Sequence, residues 1–115
     1  MAEDGSPSAR VRGLNDQFRK SPLLHGRAVV TRGVAGSGND FVARAMSAVE
    51  AFSVFTTEND PYGQHDFGSF ELDGETLFWK IDCYEKGSDY TAGAEAPEKA
   101  ETTDRVLTVM LASEY

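Results

Sequence analysis

The sequence has few of the features that mark membrane, secreted or nucleic-acid-coating proteins. Its single cysteine, Cys83, cannot form an internal disulfide and fits a reducing cytoplasm. The apolar runs are only a few residues long, far short of the ~20 that cross a bilayer, and the acidic start lacks the apolar stretch of a secretion signal. Basic residues number 11 against 19 acidic ones, for a net charge of -8. We therefore expect a cytoplasmic protein with no membrane partner, and direct nucleic-acid binding is disfavoured.

The length and the apolar content of the chain are those of one small globular domain. It has 115 residues, of which 40% are hydrophobic, which is enough for a single core without disulfides or metals. Residues 1–9 have a turn-forming composition without periodicity, so we expect a flexible tail there. Residues 10–115 are predicted to form the domain.

The charge is distributed unevenly along the chain. Residues 1–32 carry six basic side chains and three acidic ones, whereas residues 59–115 carry four basic and thirteen acidic ones. Such an acidic half is either a solvated surface or a field that attracts a basic partner.

Two helices and one strand are predicted in the first half. Val11, Leu14 and Phe18 recur at helical spacing, and Ser21-Pro22 ends that helix. The polar residues Arg10, Arg12, Asp16, Gln17 and Arg19 are expected on its solvent side. A β-branched segment predicts a strand over residues 27–32, a glycine-rich loop follows over 33–38, and apolar periodicity predicts a second helix over about 40–54, with Asn39 or Asp40 as its cap.

The second half contains a hairpin signal. Asp73-Gly74 lies between two β-rich runs, and both residues tolerate a positive φ. A two-residue turn places Leu72 opposite Glu75 and Gly68 opposite Trp79. Strand alternation then predicts a core face with the residues Phe70, Leu72, Leu77, Trp79, Ile81 and Cys83.

The remaining segments complete the predicted fold. Residues 86–103 are expected to form a long exposed loop. Residues 105–112 are apolar on both parities, which is compatible with a buried strand or a helix, and their β-branched content favours the strand. We therefore expect an α+β fold in which an antiparallel sheet of about four strands has two helices on one face.

Three ordered blocks carry a resemblance to a known family. They are Asn59-Asp-Pro-Tyr-Gly-Gln-His-Asp-Phe-Gly68, Phe78-Trp-Lys-Ile-Asp82 and Arg105-Val-Leu-Thr-Val-Met-Leu-Ala-Ser-Glu-Tyr115. The chain resembles a family of small uncharacterised bacterial proteins, a domain of unknown function often found on plasmids and mobile elements. It departs from that pattern at Gln64, where the family usually has Glu, and at Cys83, where it usually has Tyr. The resemblance implies no activity.

The strongest chemical candidates lie in the loop before the hairpin. Asp60, His65 and Asp66, with Asp82 across the hairpin, combine carboxylates with an imidazole, which suits a metal site or a general base. The alternative is that these side chains tie the loop to its own backbone. Adjacent extended residues point to opposite faces, which argues against His65 and Asp66 binding one ion.

The second group of candidates is a surface for a protein partner. It comprises the loop residues and the face of the hairpin turned away from the core, namely Asp60, Tyr62, His65, Asp66, Glu71, Phe78, Lys80, Asp82 and Tyr84. An aromatic platform for nucleic acid is disfavoured by the surrounding acids. The loop 33–38 lacks the Lys-Ser/Thr ending of a phosphate-binding loop, and Cys83 lies among acids that disfavour a thiolate.

Two functions remain open at this point. The first is a small acidic interaction protein without a cofactor, which binds a basic, nucleic-acid-handling protein and which the resemblance places among accessory or anti-defence factors of mobile elements. The second is a small metal-dependent hydrolase or nuclease that uses Asp60, His65 and Asp66. The composition favours the first.

Overall fold

A computed structural model describes residues 5–115 and gives four helices and four strands. The helices are α1 (Pro7–Lys20), α2 (Pro22–His25), α3 (Arg32–Ala35) and α4 (Asn39–Ala51). The strands are β1 (Arg27–Val30), β2 (Phe67–Leu72), β3 (Glu75–Glu85) and β4 (Thr103–Leu111). Short 3₁₀ turns lie at Ala100–Thr102 and Ala112–Glu114.

The strands form one sheet in the order β1-β4-β3-β2. The expected α+β fold with a four-stranded sheet is confirmed, but the sheet is mixed, because β1 runs parallel to β4. The other neighbours are antiparallel. β1 and β4 are joined through α3, α4 and the hairpin, and a long connection of this kind permits parallel pairing where a tight turn would not.

The Asp73-Gly74 hairpin has the predicted register. Leu72 pairs with Glu75 and Gly68 pairs with Trp79. Both turn residues have a positive φ, 53° for Asp73 and 78° for Gly74, as a two-residue turn with the twist of the strands requires. The segment predicted at 105–112 is a strand up to Leu111, as its β-branched content indicated, and Ala112 begins the last 3₁₀ turn.

The core lies between the helices and one face of the sheet, which we call the inner face. Trp79 is fully buried there, and the rest of the predicted hairpin core face packs in or against the same cluster. From the helical layer Phe18, Val34, Phe41, Ala45 and Val49 join it. The opposite side of the sheet, the outer face, carries the alternate residues of each strand. Met110 is buried on that side, and Tyr115, after the last 3₁₀ turn, packs on Phe67 and Phe78.

Two expectations about the first helix need correction. Residues 1–4 of the expected tail lie outside the described residues, but α1 already begins at Pro7, where the Ser6 hydroxyl accepts a hydrogen bond from the Ala9 N–H. The buried stripe of α1 includes Asn15 and Arg19 beside Val11 and Phe18, while Leu14 is half-buried. The prediction that Arg19 faces solvent was therefore wrong.

The segments around α4 and before β4 also differ in detail from the sequence prediction. Part of the expected glycine loop is helical, as α3, and α4 begins after Gly38 without a side-chain cap from Asn39 or Asp40. Asp40 instead pairs with Arg44 one turn later, at 2.8 Å. The expected loop before β4 is irregular over much of its length but is held to the end of β3, where the Ala94 N–H donates to the Cys83 carbonyl.

Gly68 permits the closest approach in the core. A Cβ at this position would lie 2.2 Å from Trp79 Nε1 and 2.8 Å from a ring carbon of Phe52. Neither ring can move without disturbing the packing of the cluster. The indole therefore fits the sheet only because the facing residue has no side chain.

We predict opposite effects for two Gly→Ala substitutions. Gly68→Ala should lower the free energy of unfolding by about 1–3 kcal/mol through overpacking against Trp79. Gly13→Ala, inside α1 with open space around the added methyl group, should raise it by about 0.5–1 kcal/mol. Urea denaturation followed by Trp79 fluorescence measures both, and a neutral Gly68→Ala would contradict this packing.

Candidate functional site

The polar side of α1 holds the segment between α4 and β2. The Arg12 guanidinium donates to the Gly63 carbonyl, and the Asn15 amide donates to the Gln64 carbonyl, each at 3.0 Å. The Asp16 carboxylate lies 2.8 Å from His65 Nδ1. Asn15, Asp16 and Arg19 follow Arg12 by three, four and seven positions, so the four residues share one face of the helix.

Arg19 is the most buried charged residue of this contact. Its side chain is 2% exposed, and Nη1 donates to the carbonyls of Val49 at 2.7 Å and Phe52 at 2.9 Å. These carbonyls belong to the C-terminal end of α4, where the helix leaves its own acceptors unsatisfied and where positive charge is favourable. Asp16 accepts a further hydrogen bond from Nη2 at 3.1 Å. Arg19 thus caps α4 from the neighbouring helix.

Aromatic rings surround the Arg19 guanidinium. Its central carbon lies 5.2 Å from the ring centroid of Trp79 and 5.5 Å from that of Phe55. Attraction between a cation and an aromatic face is strongest where water is excluded, as it is here. The contact joins α1 to the centre of the sheet.

His65 is committed to its surroundings on every side. Its ring stacks on Phe55 with centroids 3.6 Å apart and planes within 4°. Nδ1 faces Asp16, and Nε2 lies 3.4 Å from a carboxylate oxygen of Asp60. A doubly protonated ring can donate to both carboxylates, whereas a neutral ring can donate to only one of them. Both ring nitrogens therefore face carboxylates of the protein itself.

Asp60 organises the turn that carries His65. It is buried, and one carboxylate oxygen accepts hydrogen bonds from the N–H groups of Gln64 and His65 at 3.1 Å each. His65 itself has a positive φ of 53°, a conformation that the loop must hold in place. The observed contacts of Asp60 are therefore those of a loop-tying residue.

Asp66 lies apart from this pair. It lines a cavity of about 310 Å³ between α1, β3 and the 93–97 segment, together with Asp82 and Cys83. Burial raises the pKa of the Asp66 carboxyl, and the nearby carboxylates of Asp60 and Asp82 raise it further. Burial also raises the pKa of the Cys83 thiol, which disfavours a reactive thiolate.

The structure therefore brings together only some of the candidates for a chemical site. Asp60 and His65 meet, while Asp66 and Asp82 line a different cavity. Within residues 5–115, no group of three or more His, Cys, Asp or Glu side chains is positioned to hold a metal ion. A second cavity of about 400 Å³ lies beside Asp16, Arg19, Phe52, Phe55 and His65.

The hairpin residues proposed for a partner share the outer face of the sheet. By register, Glu71 of β2 lies on this face with Phe78, Lys80, Asp82 and Tyr84 of β3. Lys80 and Asp82 form an ion pair at 3.1 Å. Tyr62, in the loop, is 79% exposed.

Aromatic residues occupy both ends of the outer face. At one end Phe67, Phe78 and Tyr115 form a cluster with centroids 5.2–5.9 Å apart. At the other end Tyr90 contacts Tyr84, and the Arg27 guanidinium of β1 lies over the ring of Tyr90. The strip between them consists of half-buried residues, which are Lys80, Asp82, Val106 and Thr108.

Sequence reasoning missed the polar network beneath the helices. Asn15 and Arg105 are buried, and the Arg105 guanidinium donates to the Asn15 side-chain oxygen at 2.9 Å. Burial lowers the pKa of Arg105. The polar stripe Arg12, Asn15, Asp16 and Arg19 was a usable signal, because four hydrogen-bonding residues on one helix face can bind a neighbouring segment as well as water.

We predict that the hydrogen bonds of Arg19 contribute strongly to the free energy of unfolding. Arg19→Met keeps much of the apolar stem but leaves the carbonyls of Val49 and Phe52 without their donor, and should cost about 2–4 kcal/mol. Arg19→Lys should recover less than half of that loss, because one ammonium cannot reproduce the planar guanidinium. Lys20→Met, at the exposed neighbour, is the matched control and should stay within about 0.5 kcal/mol of the parent. Equal stability of Arg19→Met and the parent in urea would refute this role.

The loop carboxylates should respond in opposite directions. Asp60→Ala should cost about 1–3 kcal/mol, because two loop N–H groups lose their acceptor. Asp66→Asn should raise stability at pH 7 by less than about 1 kcal/mol, since it removes a half-buried charge that solvent partly screens.

The pH dependence of the free energy of unfolding tests the effect of the Asp66 charge. A raised folded-state pKa means that the charge of Asp66 opposes folding at neutral pH, and that this penalty disappears as the pH falls below the ordinary carboxyl range. The gain from Asp66→Asn should therefore shrink as the pH is lowered to about 3. Denaturation at pH 7, 5 and 3 measures it, and a gain that grows at low pH would show that the sign is wrong.

Comparisons with known proteins identify the family of the chain and nothing finer. Within residues 5–115, no helix is both long and apolar enough to cross a membrane. Searches of curated proteins and of solved structures gave no match. A family model described as a protein of unknown function, DUF3768, matches residues 30–114, from the end of β1 to the last 3₁₀ turn. Because this match spans most of the sequence, the chain belongs to the DUF3768 family.

Proposed function

We propose that this protein is a non-enzymatic binding protein that engages a basic protein partner through the outer face of its sheet. The observation that carries the proposal is the one-sided covering of the sheet. Helices α1, α3 and α4 contribute to the core on the inner face, whereas the outer face carries half-buried Phe67, Phe78 and Tyr84 beside carboxylates. A sheet face with aromatic and apolar groups and a charged rim has the composition of a protein-binding surface.

The charges around this face favour a basic partner. Glu71, Asp82 and Asp104 lie on the outer face by register, and the 59–115 half of the chain carries thirteen acids against four basic residues. Opposite charges steer two proteins together and raise their association rate, particularly at low salt. Arg27 and Lys80 lie on the same face, the latter paired with Asp82, so three carboxylates stand against two cations there and the local sign stays negative.

The contacts in the loop support this proposal over a metal-dependent hydrolase. Both ring nitrogens of His65 face carboxylates, and Asp60 serves two backbone N–H groups. Asp66 lies in another cavity. These are the contacts of a structural loop, which supports the outer face as the binding surface.

The setting of the proposed function comes from the sequence resemblance. We propose a bacterial protein encoded on plasmids or other mobile elements, acting in the cytoplasm as an accessory or anti-defence factor. In that role its carboxylates occupy the positions where a host protein that handles nucleic acid would bind phosphates. Such a partner has the basic surface that the outer face complements.

Charge reversal on two sides of the molecule tests the proposal. Glu71→Lys with Asp104→Lys changes the outer face. Glu50→Lys with Glu58→Lys makes the same net change at exposed residues of α4 and of the segment between α4 and β2, and we call this pair the helical-side variant. Each tagged protein is used to recover partners from its native host at low and high salt, with mass spectrometry as the readout. We expect a basic protein that binds the parent and the helical-side variant, dissociates at high salt, and is lost from the outer-face variant. Equal recovery by both double variants would contradict the proposal.

A further inference from the structure

The free edge of β2 presents a row of unpaired backbone groups. The hairpin register makes Gly68, Phe70 and Leu72 the residues of β2 that exchange hydrogen bonds with β3, because the pair beside a two-residue turn is a bonded pair and the pattern alternates. The Ile81 N–H, which donates to the Asp66 carbonyl at 2.9 Å, confirms this parity. The N–H and C=O groups of Phe67, Ser69 and Glu71 therefore point away from the sheet.

This edge carries one charged side chain, Glu71, and lacks the other devices that usually protect an exposed strand. The register of β2 with β3 is unbroken over six residues, so there is no bulge, and the strand contains neither proline nor lysine. Within residues 5–115, no strand pairs with its free side. The opposite edge, β1, has only four residues and runs directly into α3.

The surroundings of β2 specify the chemistry of a strand that could pair there. A neighbouring strand places alternate residues on the two faces of the sheet. On the outer side they would meet Glu71, which is exposed, and on the inner side they would meet Phe70 and Leu72, which are half-buried. Basic residues suit the first side and apolar residues suit the second.

We propose that the free edge of β2 binds an extended segment of the partner, with alternating basic and apolar residues, as a fifth strand of the sheet. This inference rests on the proposed function and names its mode of binding, which is strand addition. A second copy of the chain fits the edge less well, because two chains of net charge -8 repel each other.

Amide hydrogen exchange followed by NMR reads the edge residue by residue. In the free protein the amides of Phe67, Ser69 and Glu71 should exchange fast, and those of Gly68, Phe70 and Leu72 should exchange slowly. The probe is a capped seven-residue peptide of alternating valine and lysine. Binding of this peptide should slow exchange at the amides of Phe67, Ser69 and Glu71 at least tenfold. The affinity should fall as the salt concentration rises.

Three controls isolate strand pairing from charge. The same peptide with every backbone N–H methylated keeps the charge but has no N–H to donate on either edge, and should bind at least tenfold more weakly. A valine–glutamate peptide should not bind. In the protein, Ser69→Pro removes an outward N–H without touching the β3 ladder and should weaken binding at least tenfold, whereas Ser69→Ala should not.

Several outcomes would overturn the inference, and they differ from failure of the proposed function. If the lysine peptide perturbs Phe78 and Tyr84 while the three edge amides stay unprotected, the outer face binds basic partners but the edge does not. If the peptide does not bind at all, or the N-methylated peptide binds equally well, strand addition is wrong, and the charge-reversal recovery judges the proposed function separately. Protection that rises with protein concentration alone would assign the edge to a second copy. Should Ser69→Pro fail to fold, the N-methylated peptide still decides.

Discussion

The packing of the helices on the sheet depends on the contacts of one buried group, the guanidinium of Arg19. It joins the end of α1 to the carbonyls that close α4 and lies against Trp79 at the centre of the sheet. Nη1 and Nη2 of this buried charge are paired, while Nε is buried without a hydrogen-bond partner among the described residues. The cost of burying the charge is therefore offset by the contacts of the two terminal nitrogens, which fix the positions of their partners. Asp16 extends the contact to His65, and the loop before the hairpin is held in turn.

The two sides of the sheet differ in how far their side chains are paired within the protein. On the inner side the polar groups of α1 are committed to loop carbonyls and carboxylates, and the apolar groups are committed to the core. On the outer side the aromatic groups contact one another at the two ends of the sheet, and a strip of half-buried residues runs between them. The proposed function rests on these exposed and half-buried residues of the sheet.

Local patterns in the sequence predicted the parts of the fold that are determined locally. The Asp73-Gly74 turn set its own register, which in turn placed Trp79 in the core. The parallel pairing of β1 with β4 and the burial of Arg19 depend on segments distant in the chain, and no local period encodes them. The same holds for the site, since the partner of His65 is Asp16, 49 residues earlier, whereas the outer-face candidates followed from strand alternation.

The central claim, that the sheet and not the loop around His65 meets the partner, is tested most directly by a hydrogen–deuterium exchange footprint. The measurement compares the free protein with its complex with the host protein recovered at low salt. The account predicts protection confined to β2, β3 and the outer residues of β4, with the 52–66 segment unchanged. Protection centred on Phe55, His65 and the end of α4, with the strands unaffected, would contradict it.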